Sequence, residues 1–298
     1  MSDKRIYLSF ALMVLSFSFA CASNVPETAQ QQISDFSLSG YGDKGKKSWD
    51  ISGKNADIVN EVVKLKDVSG NLYDREEDVN LTAKEGDFNK ADGKVHLQDD
   101  VVITTSKGAK LTTDSMDWDR KNQLVTTEDK VNINKDNIEI TGVGARAEQA
   151  LKKVALNKDV RVDINPSPDA DKKDGLPLKD KVVITCEGKL EVDYEKNIAT
   201  FYDNVKVDRQ DLLIYSDRMD LYFNARKEAA GAQGTQKSMA SSIEKIVASG
   251  NVKIVRGENT SFSEEAVYNT SDKKITLSGR PKLVFYSGEE FKDASFGN

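Results

Sequence analysis

The sequence predicts an all-β chain, one long β-sandwich or rolled sheet assembled from stacked strand units. Three observations predict it. A small polar or charged residue is repeatedly followed by Val-x-Val or Val-x-Ile, at Asp100-Val101-Val102-Ile103, Lys130-Val131-Asn132-Ile133, Asp159-Val160-Arg161-Val162, Lys181-Val182-Val183-Ile184, Asn204-Val205-Lys206-Val207 and Asn251-Val252-Lys253-Ile254. The first valines lie 30, 29, 22, 23 and 47 residues apart, the last close to two steps of 23, and self-similarity at such a period marks stacked supersecondary units. Each unit alternates with period two, the pattern of a strand with one apolar face. Turn signals such as Asp92-Gly93 and Lys107-Gly108 separate the alternating stretches at the short intervals of all-β folds.

The elements follow in chain order. Residues 1–22 read as an export segment, with Lys4-Arg5 ahead of the uncharged stretch Ile6 to Ala20. That stretch is shorter than the roughly 20 residues that span a bilayer comfortably. Three fates are open. Ala20-Cys21-Ala22 fits small-x-small cleavage before Ser23. Ser18-Phe19-Ala20-Cys21 resembles a bacterial lipoprotein signal with Cys21 lipidated, although Ser18 stands where leucine is usual. The third is an uncleaved anchor. All three place the chain outside the cytosol. Residues 23–47, with Gln30-Gln31-Gln32 and glycines at 40, 42 and 45, read as a polar tether. Strand patterns begin at Trp49-Asp50-Ile51-Ser52-Gly53 and continue to Ile164, giving a first domain over 48–165. Ala145 to Leu156 has helical composition, but strand-like neighbours and the repeat favour a strand. Residues 166–178 hold three of the five prolines and read as a linker, since proline cannot donate to a sheet ladder. The repeat restarts at Lys181 in a second domain, 179–298, interrupted by a flexible loop from Ala225 to Ser242.

Alternation puts Val101, Ile103, Val131, Ile133, Val182, Ile184, Val205, Val207, Val252 and Ile254 on one face, where stacking would align them into a stripe. Trp118, Tyr194 and Tyr268 occupy equivalent spots between the valines and join that face. Such a face either forms a dry core or opens along one seam to an apolar ligand, and composition does not decide between them.

Composition is more decisive about chemistry. The net charge is −6 with acids and bases interspersed, so there is no basic patch for nucleic acid. His96 is the single histidine, which removes triads and histidine-rich metal sites. Cys186 reads as a small buried hydrophobe. The acid pairs Asp117 with Asp119 and Glu264 with Glu265, and the run Glu76-Glu77-Asp78, read as solvated turn or edge charges. No catalytic residue, metal site or cofactor is expected.

The residues also resemble a known family. Gly93 to Ile164 is similar to LptC, the membrane-proximal bridge protein of lipopolysaccharide export. The matching pieces are Val95-His96-Leu97-Gln98-Asp99-Asp100-Val101-Val102-Ile103, Gly108-Ala109-Lys110-Leu111-Thr112-Thr113-Asp114-Ser115-Met116-Asp117-Trp118 and Gly142-Val143-Gly144-Ala145-Arg146-Ala147. Lys181 to Phe285 resembles LptA, with its OstA-like domain, through Leu213-Ile214-Tyr215-Ser216-Asp217-Arg218-Met219-Asp220-Leu221-Tyr222, Ile246-Val247-Ala248-Ser249-Gly250-Asn251-Val252 and Ile275-Thr276-Leu277-Ser278-Gly279-Arg280-Pro281. Members usually carry one such domain; this chain joins both. The resemblance implies two stacked OstA-like β-jellyrolls in series, with an open seam whose groove shelters lipid acyl chains. It implies a periplasmic location, with attachment to the inner membrane by the N-terminal segment or a lipidated Cys21. The implied partners are lipopolysaccharide, the inner-membrane lipopolysaccharide ABC transporter, and an outer-membrane translocon or further bridge copies joined by edge-strand addition. The lipid-groove candidates are the ten stripe residues and Trp118. The alternative is a structural β-repeat scaffold or adhesin with a dry interior.

Overall fold

The computed structural model describes residues 31–42, 45–73, 77–148, 153–166, 180–223, 243–272 and 274–285. Its strands are β1 Gln31–Tyr41, β2 Lys47–Val59, β3 Val62–Leu72, β4 Val79–Asn89, β5 Lys94–Thr105, β6 Lys110–Asp119, β7 Leu124–Lys135, β8 Ile138–Glu148, β9 Lys153–Ile164, β10 Val182–Cys186, β11 Leu190–Asp193, β12 Ile198–Arg209, β13 Leu212–Phe223, β14 Ile243–Arg256, β15 Asn259–Asn269, β16 Lys274–Ser278 and β17 Lys282–Val284. All seventeen join one antiparallel sheet, in which successive rows pair in sequence order. β10 and β11 are two halves of one row between β9 and β12, and β16 and β17 share the flank of β15.

Every row bends at its middle, and the bends line up. In a regular strand, inward residues are two apart. Here the inward residues flanking the bend are four apart on β5 (Leu97, Val101), β7 (Thr127, Val131), β9 (Leu156, Val160), β12 (Phe201, Val205) and β14 (Ala248, Val252). They are three apart on β6 (Thr113, Met116), β8 (Gly142, Ala145), β13 (Ser216, Met219) and β15 (Ser263, Ala266). These extra residues are β-bulges, and the ladders shift register there. Asp35, Asp67, Asp99, Asp100, Asp159, Asp203, Asn204 and Asn251 take left-handed φ between 46° and 62° at the bends. Short polar side chains tolerate that region best after glycine. Stacked bulges make a crease that divides the sheet into two arms.

The arms fold toward each other over their apolar faces. β2 and β6 are four strands apart in the sheet, about 19 Å if it were flat, yet the Trp49 and Trp118 rings meet edge to face at 6.4 Å. Only a sheet rolled on itself can bring them together. The apolar interior forms two clusters, one from Phe36 to Met116 and one from Val131 to Ala266. Their boundary lies at β6–β7, where Thr113 and Thr127 share a buried hydroxyl hydrogen bond and the ladder is interrupted between Thr112 and Asp117.

Several expectations change. Gln31–Tyr41, expected within the tether, is a strand paired with β2; the bulge at Asp35 shifts Phe36 and Leu38 out of step with Ile33 and hides the alternation. The repeat unit is one antiparallel strand pair, and Lys181-Val182 is not one of its members. Val182 lies opposite Ile164 at the far end of β9, while Cys186 lies opposite Val160 at the crease. The step from Val160 to Val205 is therefore one unit, and so is that from Val205 to Val252. Ala145–Glu148 and Lys153–Leu156 are strand. The 166–178 linker, beyond Pro166, and the Ala225–Ser242 loop lie outside the described residues. On either side of the linker β9 pairs with β10 and β11, so the sheet runs on without a break.

Candidate functional site

The site is the inner face of the rolled sheet, built from cross-strand rows. Along the crease, large and small residues alternate: Phe36, Gly53, Val68, Ala83, Val101, Thr113, Val131, Gly142, Val160, Cys186, Val205, Ser216 and Val252 on successive rows. Val101 and Val131 are 0 % exposed, and Val160, Val205 and Val252 are 1 %. A valine on every second row needs a small neighbour on each side, because adjacent rows are only about 4.8 Å apart. Gly53 shows the constraint: a Cβ there would stand 2.7 Å from the Phe36 ring and from the Lys66 carbonyl.

The next row along one arm is unbroken and apolar over its middle. Register partners run Leu81, Ile103, Leu111, Ile133, Ile140, Val162, Ile184, Val207, Ile214 and Ile254. A third row carries Ile138, Ile164 and Val182. The opposite arm supplies Leu97, Met116, Leu156, Leu190, Phe201 and Met219 nearest the crease, with Val95, Trp118, Val125 and Ala199 beyond.

Every candidate from the sequence thus faces the interior, but on different rows. Val101, Val131, Val205 and Val252 form the crease. Ile103, Ile133, Ile184, Val207 and Ile254 line the first row. Val182 lies on the third, and Trp118 faces them from the other arm. Sequence reasoning missed the alternate rows, β6, β8 and β13 among them, because the crease position there is small and no Val-x-Val results. Their signal is an apolar residue two before a small one, as in Leu111-Thr112-Thr113, Ile140-Thr141-Gly142 and Ile214-Tyr215-Ser216. Tyr194, expected on the inner face, stands in the turn after β11 and is partly exposed, with its ring edge to face on the buried Phe223 at 6.1 Å; Val192 holds the strand position opposite Ala199.

Both ends of the rows are open. Among the described residues β1 pairs only with β2, and β16 and β17 only with β15. Leu38 on β1 is 36 % exposed, whereas its row neighbour Ile51 is 3 %; Leu283 on β17 is 42 % exposed, whereas Ile254 of the same row is 9 %. An inward residue is covered by neighbours on both sides, and the terminal ones lack one of them.

The polar groups form structural pairs. Asp50 accepts from Asn71, Tyr73 and Lys47, the lysine first in holding its carboxyl below the usual range. Asp163 accepts from Arg161 and Lys181 and is likewise held low, chiefly by the guanidinium. His96 meets Asp117 at 2.8 Å on the surface. Asp119 is taken up by the Asn122 amide and side chain. Glu77 lies 4.0 Å from Lys107. Among the described residues no cluster of three potential metal ligands occurs, and no helix is long and apolar enough to cross a membrane.

The described residues form a rolled antiparallel sheet of stacked bulged strands, with an apolar inner face and one unpaired edge at each end. Two family models place the chain among proteins of lipopolysaccharide assembly and transport. The family model described as lipopolysaccharide-assembly, LptC-related, matches residues 7–165, and the one described as LptA/(LptD N-terminal domain) LPS transport protein matches 188–295. No curated protein matches. A solved structure, LptH of Pseudomonas aeruginosa, described as the LptA homologous periplasmic component of the lipopolysaccharide transport device, is 13 % identical over 60 % of this chain and 96 % of its own, with a TM-score of 0.32. The chain belongs to the LptC-related lipopolysaccharide-assembly family and carries an LptA-like segment after it. It is a periplasmic bridge component of lipopolysaccharide transport, working with other members of that machinery. These are transport families and not families of enzymes.

Proposed function

We propose that the inner rows carry lipopolysaccharide acyl chains along the whole sheet, and that the chain catalyses no reaction of its own. Exposing acyl chains to water costs about 0.8 kcal/mol per CH₂, and a continuous apolar row lowers that cost at each step while the sugar head stays in solvent. The observation that carries this reading is the row from Leu81 to Ile254. It passes from the LptC-matching segment to the LptA-matching one through Val162 opposite Ile184 and Ile184 opposite Val207, with no polar interruption. The functional halves are residues 48–165, with β1 as their outer edge, and 179–298, joined by 166–178. Residues 1–22 hold the N-terminal end at the inner membrane, as a signal anchor or through lipidated Cys21. The β1 edge receives the inner-membrane ABC transporter by strand addition. The β16–β17 edge receives the outer-membrane translocon or a further bridge copy.

A photo-crosslinking residue at Ile184 or Ile254, both inward, should capture lipopolysaccharide in cells. The same residue at Val183 or Lys253, which alternate outward, should not. Equal capture on both faces would sink the groove and leave the dry scaffold as the better account.

A further inference from the structure

The two arms meet under a clasp that the repeat does not account for. Arg120, in the turn between β6 and β7, holds its guanidinium 4.2 Å from the centre of the Trp49 ring, 5.7 Å from Phe88 and 6.0 Å from Trp118. Trp49 belongs to one arm, and Phe88 and Trp118 to the other. The side chain is half-buried, and burial alone lowers its pKa. Among the described residues no carboxylate bonds to it; its neighbour Asp119 is committed to Asn122. A guanidinium presents five donors in a rigid plane that matches phosphate and carboxylate oxygens. Here its faces lie against aromatic rings, and among the described residues no hydrogen bond takes up its donors.

We propose that Arg120 is an anion receptor at the mouth of the trough, binding the phosphate of an amphipathic lipid whose chain enters beneath Trp49 and Trp118. This rests on the lipid-carrying reading of the inner rows. The phosphate meets the unused N–H groups, and the chain below it meets the Phe36–Met116 cluster, against which Trp49, Phe88 and Trp118 already pack. The charge complementarity is local: among the described residues, a cation without a carboxylate partner stands over the aromatic rings where the two arms meet, in a chain whose overall charge is −6.

The protein carries a built-in reporter, because Trp49 and Trp118 are its only two tryptophans. Three probes, each below any micelle concentration, separate head from chain: n-dodecyl phosphate, n-dodecyl maltoside and inorganic phosphate. The wild-type chain should bind dodecyl phosphate about tenfold more tightly than the maltoside, the size of one charge-assisted hydrogen bond, with a shift in tryptophan emission. Arg120→Gln should bring that ratio to about one, and Arg120→Lys should recover part of it, since lysine keeps the charge without the planar fork. Far-ultraviolet circular dichroism of both variants checks that the sheet is kept. A ratio near one in the wild type, or a ratio unchanged in Arg120→Gln, overturns the receptor while leaving the trough. Inorganic phosphate binding as tightly as dodecyl phosphate also overturns it, because the site would then take a free anion. If neither chain-bearing probe binds, the lipid-carrying reading fails and the receptor with it.

Discussion

At the residue scale, the crease valines show how much one position can carry. Val131 has no exposed surface and is flanked across the ladder by Gly142. Val131→Ala removes two carbons from a packed site and should cost about 2 kcal/mol, read as a lowered denaturation midpoint at unchanged slope. The small partners are as constrained as the large ones. Gly53→Ala should destabilise the N-terminal cluster, because the new Cβ must displace a ring and a backbone carbonyl together. Cys186 occupies a small crease position, and burial pushes its thiol up to about 11. A thiol reagent at pH 8 should leave it unmodified in a folded chain beginning at Ser23, and label it fully in denaturant; rapid native labelling would contradict its place at the crease.

At the scale of the strand, the Asp or Asn before every crease valine except Val131 is a bulge device and not only an outward side chain. Asp159 has φ 53°. Asp159→Gly should be tolerated, whereas Asp159→Val should cost about 1–2 kcal/mol, since a β-branched residue is strained in the left-handed region. If both variants melt together, the bend is imposed by packing alone. The junction of β9 and β10 has its own pH signature. Asp163 is held low by Arg161 and then by Lys181, which reaches it at 2.7 Å from just before β10. A carboxyl depressed in the folded state contributes stability above its unfolded value, and that contribution is lost as pH falls through the folded one. The thermal midpoint of the wild type should therefore fall more steeply below about pH 4 than that of Asp163→Asn.

For the whole molecule, the joint and the ends matter most. The proline-rich segment reads as a boundary, yet the ladder continues past it through β9, β10 and β11, and the buried clusters divide at β6–β7 instead. A protease cut between residues 167 and 179 should leave two fragments that still elute as one particle until denaturant is added. Immediate separation would show that the β9–β10 pairing adds little. Charges placed at the open ends should act one end at a time. Leu38→Glu and Leu283→Glu alter residues already exposed, so each should change stability by no more than about 0.5 kcal/mol. The first should abolish pull-down of the inner-membrane transporter only, and the second that of the distal partner only.

What the sequence by itself determined is the local geometry: strands from period-two alternation, turns from Asp-Gly and Lys-Gly, and a chemistry without histidine sites. It also marked the crease wherever Asp or Asn preceded Val, because left-handed φ selects those residues at the bend. It could not reveal β1, where the Asp35 bulge shifts the alternation, nor the true period, because Lys181-Val182 copies the motif without its bend. The lining from Leu111, Ile140 and Ile214 was equally hidden. Those facts depend on register, which strand lies beside which and at what offset, and register is set by partners distant in sequence. The meeting of Trp49 with Trp118 under Arg120 is the clearest case. No spacing in the chain encodes it; it exists only because bulges stacked on every row roll the sheet until its two arms touch.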